Sequence, residues 1–467
     1  MRSSWVRRFF VVSVSITAIA GLSVASIGSA SPSKARVAAI THAATKLTLN
    51  IWDVFYFPKQ SGAAGAQGKA EQQIDQAFMK KFPNITVKHV GVPGTDFFTD
   101  IREFVASRSG PDIITAGGSS FAANAGWTKA IYPTYKLITP LMKKQLGPYL
   151  AGEGIGDTAH YSIPVYAGVY AMYYNKHDFT QAGITAIPKT FPQLLADCTA
   201  LQKVGITPIT NGFTGLAGAV PWDYGTSNQV LDQKGLLNWS DFKIGWTDPR
   251  IIASLTYLQQ MSAGGCFGNR AAASTETDTD GVSAFEGNRG AMYFGSNLSG
   301  SAFGTPAAIA NVGVFAFPKE PTSVYPVGTP DTGYNANWSI MNYTKVCAAA
   351  WDYVQFYDGV QAQTIQWKVA GIIPANTAVK AKGTNGVDDT LLALAANKYG
   401  HHGPGGTTSA PELTLLGQLI PELISGAITP AQLASQLQAE RATQPVPPSG
   451  GKLPNPPPCV NGKSVAG

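Results

Sequence analysis

Apolar positions recur along this chain with two alternating periods, near 2 and near 3.6. Lys46–Phe57 (KLTLNIWDVFYF) alternates and then turns aromatic, which predicts a first strand ending in a loop that exposes Trp52, Asp53 and Phe55. Gly62–Gly68 reads as a flexible turn, and Glu71–Phe82 then sets Ile74, Phe78, Met79 and Phe82 on one helical face. Ile85–Val90 reads as a second strand and Asp96–Ser107 as another amphipathic helix. Gly110–Ile114 is a third strand, followed by a loop carrying Ser119 and Ser120. Alternation of strand and helix predicts an α/β fold with a mainly parallel sheet. Ligands of such sheets bind beyond the carboxyl ends of the strands.

The centre of the chain is Tyr161–Gly212. Its opening run is apolar for most of its length and ends in Tyr173-Tyr174-Asn175-Lys176, as expected of a strand buried on both faces. Asp178 is placed to cap a short helix. Thr190 and Pro192 mark the start of a longer helix, with Leu194, Leu195, Cys198, Leu201 and Val204 at helical spacing and Gly205 as its stop. Ile206–Ile209 reads as the next strand. Further on, Gly212–Gly225 is a loop containing Trp222, Asp223 and Tyr224. Asp248 caps a helix with Pro249 at its first position. Ala291–Phe294 is a strand opening into Gly295, Ser296 and Asn297. Val312–Phe317 and Asn337–Met341 are further strands, and helices are expected at Val346–Tyr357, Thr390–Lys398, Pro411–Ser425 and from Thr429 to Arg441. The tail from Pro445 is Pro-rich and reads as extended.

Length and composition sharpen this picture. A chain of 467 residues has room for two domains, and 21 Phe, 18 Tyr and 9 Trp supply large cores despite only 13% charged residues. Arg2, Arg7 and Arg8 precede an apolar run to Ile27 and a small-residue ending at Ala30, the pattern of an export signal over 1–30. Residues 31–45 follow as a linker. Loss of those three arginines lowers the formal charge from +6 to +3, an excess that points to neither nucleic acid nor a polyanionic substrate. Four cysteines in an exported chain suggest two disulfides. Of the three pairings, Cys198–Cys266 with Cys347–Cys459 is preferred, and no CxxC spacing suggests a metal or redox role.

The motifs carry no catalytic signature. There is no His-Glu-x-x-His, Gly-x-Ser-x-Gly or phosphate loop. Glu276–Gly281 resembles the start of a calcium loop, but the closing position holds Gly287, so an acidic helix cap is the reading taken. His401-His402 lies between Gly-rich loops and reads as a solvated loop. No cofactor and no metal are expected.

Several stretches, taken in order, do carry a resemblance. They include FMKKFPNITVKHV, Pro111-Asp112-Ile113-Ile114, IPVYAGVYAMYYNK, AGITAIPKTFPQLLADCTALQKVGITPI, AFEGNRGAMYFGSN, AAAWDYVQFY, AGIIPA and ISGAITPAQLASQLQAE. The chain resembles the extracellular solute-binding proteins of ABC importers, in the carbohydrate-binding family 1 that includes maltose-binding protein. The resemblance implies a two-lobe periplasmic-binding-protein fold (type II), each lobe a mainly parallel sheet flanked by helices, joined by a three-segment hinge. Lobe 1 would comprise 46–166 and 330–372, and lobe 2 would comprise 167–329 and 373–444. It also implies a monomeric, periplasmic or cell-surface receptor that hands a sugar or oligosaccharide to a membrane permease. A non-sugar solute is the alternative, and an exported carbohydrate-active enzyme the more distant one. Sugars are held by aromatic faces and by side chains that bond hydroxyls. Trp52, Phe55, Trp222, Tyr224 and Trp338 are the expected stacking residues. Asp53, Ser119, Ser120, Asn297, Asn335 and Asn337 are the expected hydroxyl partners, with Gly295 and Ser296 at the same strand end. Tyr166 is expected to face the cleft from the hinge strand, and Gly168 stands where the maltose binders have a carboxylate.

Overall fold

The computed structural model describes residues 45–60, 62–93, 103–116, 130–152, 163–300, 306–444 and 457–462. The expected export signal and linker, the 117–121 loop with Ser119 and Ser120, and the start of the Pro-rich tail lie outside them.

β1 (Leu47–Asp53) pairs in parallel with β2 (Ile85–Gly91) and with β3 (Ile113–Ala116). β4 (Ile163–Asn175) is the longest strand and joins the two halves of the sheet. It runs antiparallel to β5 (Met292–Ser296), β6 (Val312–Phe315) and β7 (Asp331–Ile340), while β7 also pairs antiparallel with β3. The strand order is β2-β1-β3-β7-β4-β5, with β6 on β4. Parallel pairing is therefore confined to β1–β3 among these strands, and the far half is antiparallel. Element order alone did not reveal this, because β4 and β7 pass each other in opposite directions as they cross the molecule. The expected strand at Ile206–Ile209 reduces to one bridge, Ile209 to Met292.

Two lobes follow from two cores. One gathers Leu49, Ile51, Ile74 and Phe78 with Val165, Ala167, Val169 and Tyr353. The other gathers Leu194, Leu201, Leu255, Leu258, Leu419 and Ile420. Residues of β4 serve both, because alternate side chains leave a strand on opposite faces: Val169 and Ala171 enter the first core and Met172 the second.

Helix α1 (Gly62–Lys81) begins nine residues before the expected Glu71. The glycines that suggested a turn are there for contact. A Cβ on Gly65 would lie 1.8 Å from the Gln60 carbonyl oxygen, and one on Gly68 2.4 Å from Pro58 N. The short helix α2 (Lys176–Gln181) is capped by Asn175, whose side chain accepts from His177 N and Asp178 N, rather than by Asp178. Thr190 and Gln193 form a capping box at α3 (Phe191–Lys203), and Asp248 caps α4 (Pro249–Ala263) as expected. The acidic stretch at 276–281 is a cap: Thr277 and Asp280 form a capping box.

Both disulfides adopt the preferred pairing, Cys198–Cys266 and Cys347–Cys459. The second ties residues 457–462 to α5 (Cys347–Tyr357), where Ala349 N donates to Asn461 Oδ1 at 3.1 Å and Gly462 N to Lys345 O at 2.7 Å. This part of the tail is docked. No helix among the described residues is long and apolar enough to cross a membrane.

Candidate functional site

The site is built on the stretch of β4 that lies against β7. Directly opposed residues of an antiparallel pair share a face. Gly168 opposes Gly333, and Tyr170 opposes Asp331. Two glycines opposite each other leave a bare patch of sheet. His402 covers part of it: a Cβ on Gly333 would lie 2.2 Å from the His402 ring, so no larger residue fits there. His402 Nδ1 lies 2.8 Å from Asp331 Oδ1, and Gly403 N donates to Asp331 Oδ2 at 3.0 Å. Asp331 thereby orients the imidazole over the strand pair.

Tyr170 is half-buried where its neighbours on β4 are buried, and its ring lies face to face with Tyr224 at 3.9 Å and 6°. His402 is 6.0 Å from Tyr224. Burial pushes the Tyr170 and Tyr224 hydroxyls well above the ordinary phenol range, so both remain donors at all physiological pH. Along the same strand toward the first lobe, Tyr166 is buried and meets Phe55 edge-on at 6.0 Å. Tyr166 therefore packs in the first core and does not face the cleft as expected, and the aromatic faces left near the strand pair are Phe55, Tyr170 and Tyr224.

Of the other expected residues, Gly295 and Ser296 end β5, and Asn297 follows, with Oδ1 accepting from Val169 N at 3.0 Å and Nδ2 without a partner among the described residues. Asn297 borders a cavity of about 250 Å³ with Ala66, Trp367, Ile373, Asn385 and Leu391. That volume falls below the roughly 300–1,000 Å³ of sites that enclose a whole drug-sized ligand. Asp53 is fully buried below the floor, and Asn337 lies buried on β7. The Asn335 side chain lies outside the described residues.

Three expected stacking residues are placed elsewhere. Trp222 is 0% exposed in the second core, stacked on Trp246 at 5.0 Å, with Nε1 donating to Ser254 Oγ at 2.9 Å. The loop expected around it is a π-helical turn, Pro221–Thr226, which turns Trp222 inward and leaves Tyr224 outward. Trp338 is fully buried in the first core between Tyr357 and Tyr353, with centroids 4.7 and 5.6 Å away. Trp52 packs edge-on against Phe104 at 4.6 Å. Type and loop position pointed to these residues, but strand parity decides the face that Trp52 and Trp338 take, and the π-helical turn decides it for Trp222. The residues missed were Tyr170, Asp331 and His402. Tyr166, Gly168 and Tyr170 sit two apart on β4, a period-2 signal that was available. His401 and His402 are not solvated: His401 places Nδ1 2.8 Å from Tyr399 O and Nε2 2.7 Å from Asn228 O.

The second lobe also buries acids, with Asp223 Oδ1 and both Glu320 oxygens unpartnered among the described residues. Burial, reinforced by the Asp331 charge, holds Asp223 well above the carboxylate range. Burial alone does so for Glu320, which is 0% exposed with both oxygens unpartnered among the described residues. The folded chain keeps a proton on such an acid that the unfolded chain releases above about pH 4. Stability therefore falls as pH rises from there toward the raised folded value. Glu320→Gln removes that term. It is expected to stabilise the chain more at pH 8 than at pH 5 in urea denaturation, and an equal gain at both would refute the protonated assignment.

The comparisons agree with this architecture. The description of the bacterial extracellular solute-binding protein family matches residues 62–364. A multiple sugar-binding protein of Streptococcus mutans is 26% identical over 183 residues, 39% of this chain and 41% of that protein. The chain spans less than half the length of the curated relatives it matches. Among solved structures, a protein from a study of xylan utilisation by Caldanaerobius polysaccharolyticus superposes with TM-score 0.70 at 18% identity, covering 84% of this chain and 99% of that one. A chitin oligosaccharide binding protein gives TM-score 0.70 at 18% identity, covering 85% and 98%.

Proposed function

We propose, from the premise that the chain belongs to the bacterial extracellular solute-binding protein family, that it is the receptor of an ABC importer and binds a sugar or oligosaccharide between its lobes. The lobes in this reading are 46–166 with 330–372, and 167–329 with 373–444, although Val169, Ala171, Ile373, Ala375, Val387 and Leu391 pack into the first core. The observation that carries it is the paired Tyr170 and Tyr224 rings beside the His402–Asp331 pair and the bare Gly168–Gly333 patch. Aromatic faces suit the apolar C–H patches of a pyranose. The opposed glycines seat the His402 imidazole against the strand pair, and an oriented imidazole with two phenol hydroxyls meets sugar hydroxyls. The family consists of binding proteins, and Asp331, the carboxylate on this strand pair, is committed to His402 and Gly403 N.

A thermal-shift and calorimetric screen tests the reading. Intact mono- or oligosaccharides are expected to raise the melting temperature and to be recovered uncleaved. Stabilisation by amino acids, polyamines or peptides, with none by sugars, would overturn it. Tyr224→Ala is expected to weaken sugar binding about 10- to 100-fold, since each tenfold step is about 1.4 kcal/mol. Folding should change little, because Tyr224 is only half-buried. Unchanged affinity would remove the tyrosine pair from the site.

A further inference from the structure

Beneath the floor, inside the first lobe, four ionisable side chains converge. Asp53 ends β1. Glu71 and Asp75 lie four apart on α1 and so share a face, and His89 stands on β2. Single donor atoms of Asp53, Glu71 and His89 all lie within 4.8 Å of one another. The His89 side chain is 1% exposed, and Asp53 and Glu71 are 0% exposed.

The hydrogen bonds around His89 decide its chemistry. Nδ1 lies 3.0 Å from Asp75 Oδ2, and Asp75 Oδ1 accepts from the Tyr353 hydroxyl at 2.7 Å. With Nδ1–H donating to Asp75, a neutral imidazole presents its Nε2 lone pair to Asp53 Oδ2, 3.3 Å away. Two lone pairs facing each other require something positive between them. A proton would make an imidazolium bond, and such charge-assisted contacts close to about 2.7–2.9 Å. A tetrahedral ion with bonds of about 2.0–2.1 Å separates its ligand atoms by about 3.3–3.4 Å, which matches the gap found. Asp53 Oδ1 is occupied by Thr115 Oγ1 at 2.5 Å and Phe55 N at 2.7 Å, which leaves Oδ2 for the ion. Glu71 Oε2 has no hydrogen-bond partner among the described residues, and the fully buried Tyr166 hydroxyl, beside the Gln67 side chain, lies within electrostatic reach of Asp53 and Glu71. Two carboxylates and a third acid, Glu71, which burial and the Asp53 charge push well above the ordinary carboxylate range, crowd around one imidazole, and buried charges are paired or ligate metals. An imidazole oriented by a carboxylate on its far nitrogen is the usual support of a metal-ligating histidine.

We propose that Asp53 Oδ2, Glu71 Oε2 and His89 Nε2 hold a divalent transition-metal ion, zinc by its nitrogen and oxygen donors, with the Tyr166 hydroxyl or a water at the fourth position. Asp75 positions His89 from behind, and the Tyr56 ring closes the site by stacking on His89 at 4.0 Å. The ion fastens β1, α1 and β2 together directly below Phe55 and Tyr166. The competing account is a proton: against the lowering effect of burial, Asp75 and Asp53 raise His89 to about 10.

The site closes on folding, so the test loads the ion during refolding. The full chain, refolded with Zn²⁺ and passed through gel filtration, is expected to retain about one equivalent by elemental analysis. It should melt about 5 °C or more above chain refolded with a chelator. Co²⁺ in place of Zn²⁺ should give the visible bands of a four-coordinate ion. Glu71→Gln keeps the side-chain volume and should fold while losing the metal, the bands and the chelator-sensitive part of the melting temperature. Wild-type chain that retains no metal, or melts identically with Zn²⁺ and with chelator, overturns the site. Glu71→Gln binding as much metal as wild type overturns the ligand assignment.

Discussion

Trp222→Ala is expected to cost about 3–5 kcal/mol of folding stability, the range for truncating a large aromatic in a closed core. Trp222 is fully buried, it stacks on Trp246, and its indole N–H fills the acceptor side of Ser254 Oγ. Ser254 Oγ itself donates to Ile251 O at 2.7 Å, so it cannot turn to another acceptor without breaking that bond. Alanine would leave a cavity between the π-helical turn and α4, and an unfilled polar position in it. Urea denaturation reads the loss. Calorimetry on the protein that remains folded should find sugar affinity within a few-fold of wild type, because Tyr224, two residues on, faces the opposite way. Lost affinity with stability unchanged to within about 1 kcal/mol would return Trp222 to the ligand site, where its place in the expected Gly212–Gly225 loop had put it.

Arg441→Met is expected to be as damaging, about 3–5 kcal/mol, by a different cause. Arg441 lies on α7 (Pro430–Ala442) and is 3% exposed, as it reaches Glu412 on α6 (Ala410–Ser425), which is 0% exposed. Its guanidinium lies 3.8 Å from the Trp239 ring centroid, and Nη1 donates to Ile244 O at 2.9 Å. Glu412 also accepts from Trp246 Nε1 at 2.7 Å and from Ser409 N at 3.1 Å. Methionine keeps most of the bulk but strands a carboxylate in a closed site, and an uncompensated buried charge is what makes breaking such a pair costly. Glu412→Gln in the same chain removes the charge while an amide oxygen still accepts from Trp246. The double variant is therefore expected to be more stable than Arg441→Met alone. If it is not, the loss comes from packing on Trp239 and not from the stranded charge; a double-mutant cycle separates the two.

Local chemistry made much of this legible before any coordinates. Thr190, Asp248 and Thr429 cap their helices because a side-chain oxygen one residue before a helix satisfies a free N–H whatever the rest of the chain does. The Gly62–Gly68 stretch misled for the converse reason. Glycine signals missing side-chain bulk, and here the need for its absence came from Gln60 and Pro58 packed against the helix.

The sequence by itself determined the α/β class, several helix starts and the preferred cysteine pairing, each set by neighbours within a few turns or by a short count of alternatives. Only the tertiary structure decided which aromatic faces which way. Trp222 and Trp338 went to the cores, and Tyr170, Asp331 and His402 came together on the strand pair that spans both lobes. The physical reason is register. Pairing Gly168 with Gly333 puts Tyr170 beside Asp331 and makes room for His402, and a shift of one residue would send each of those side chains to the other face.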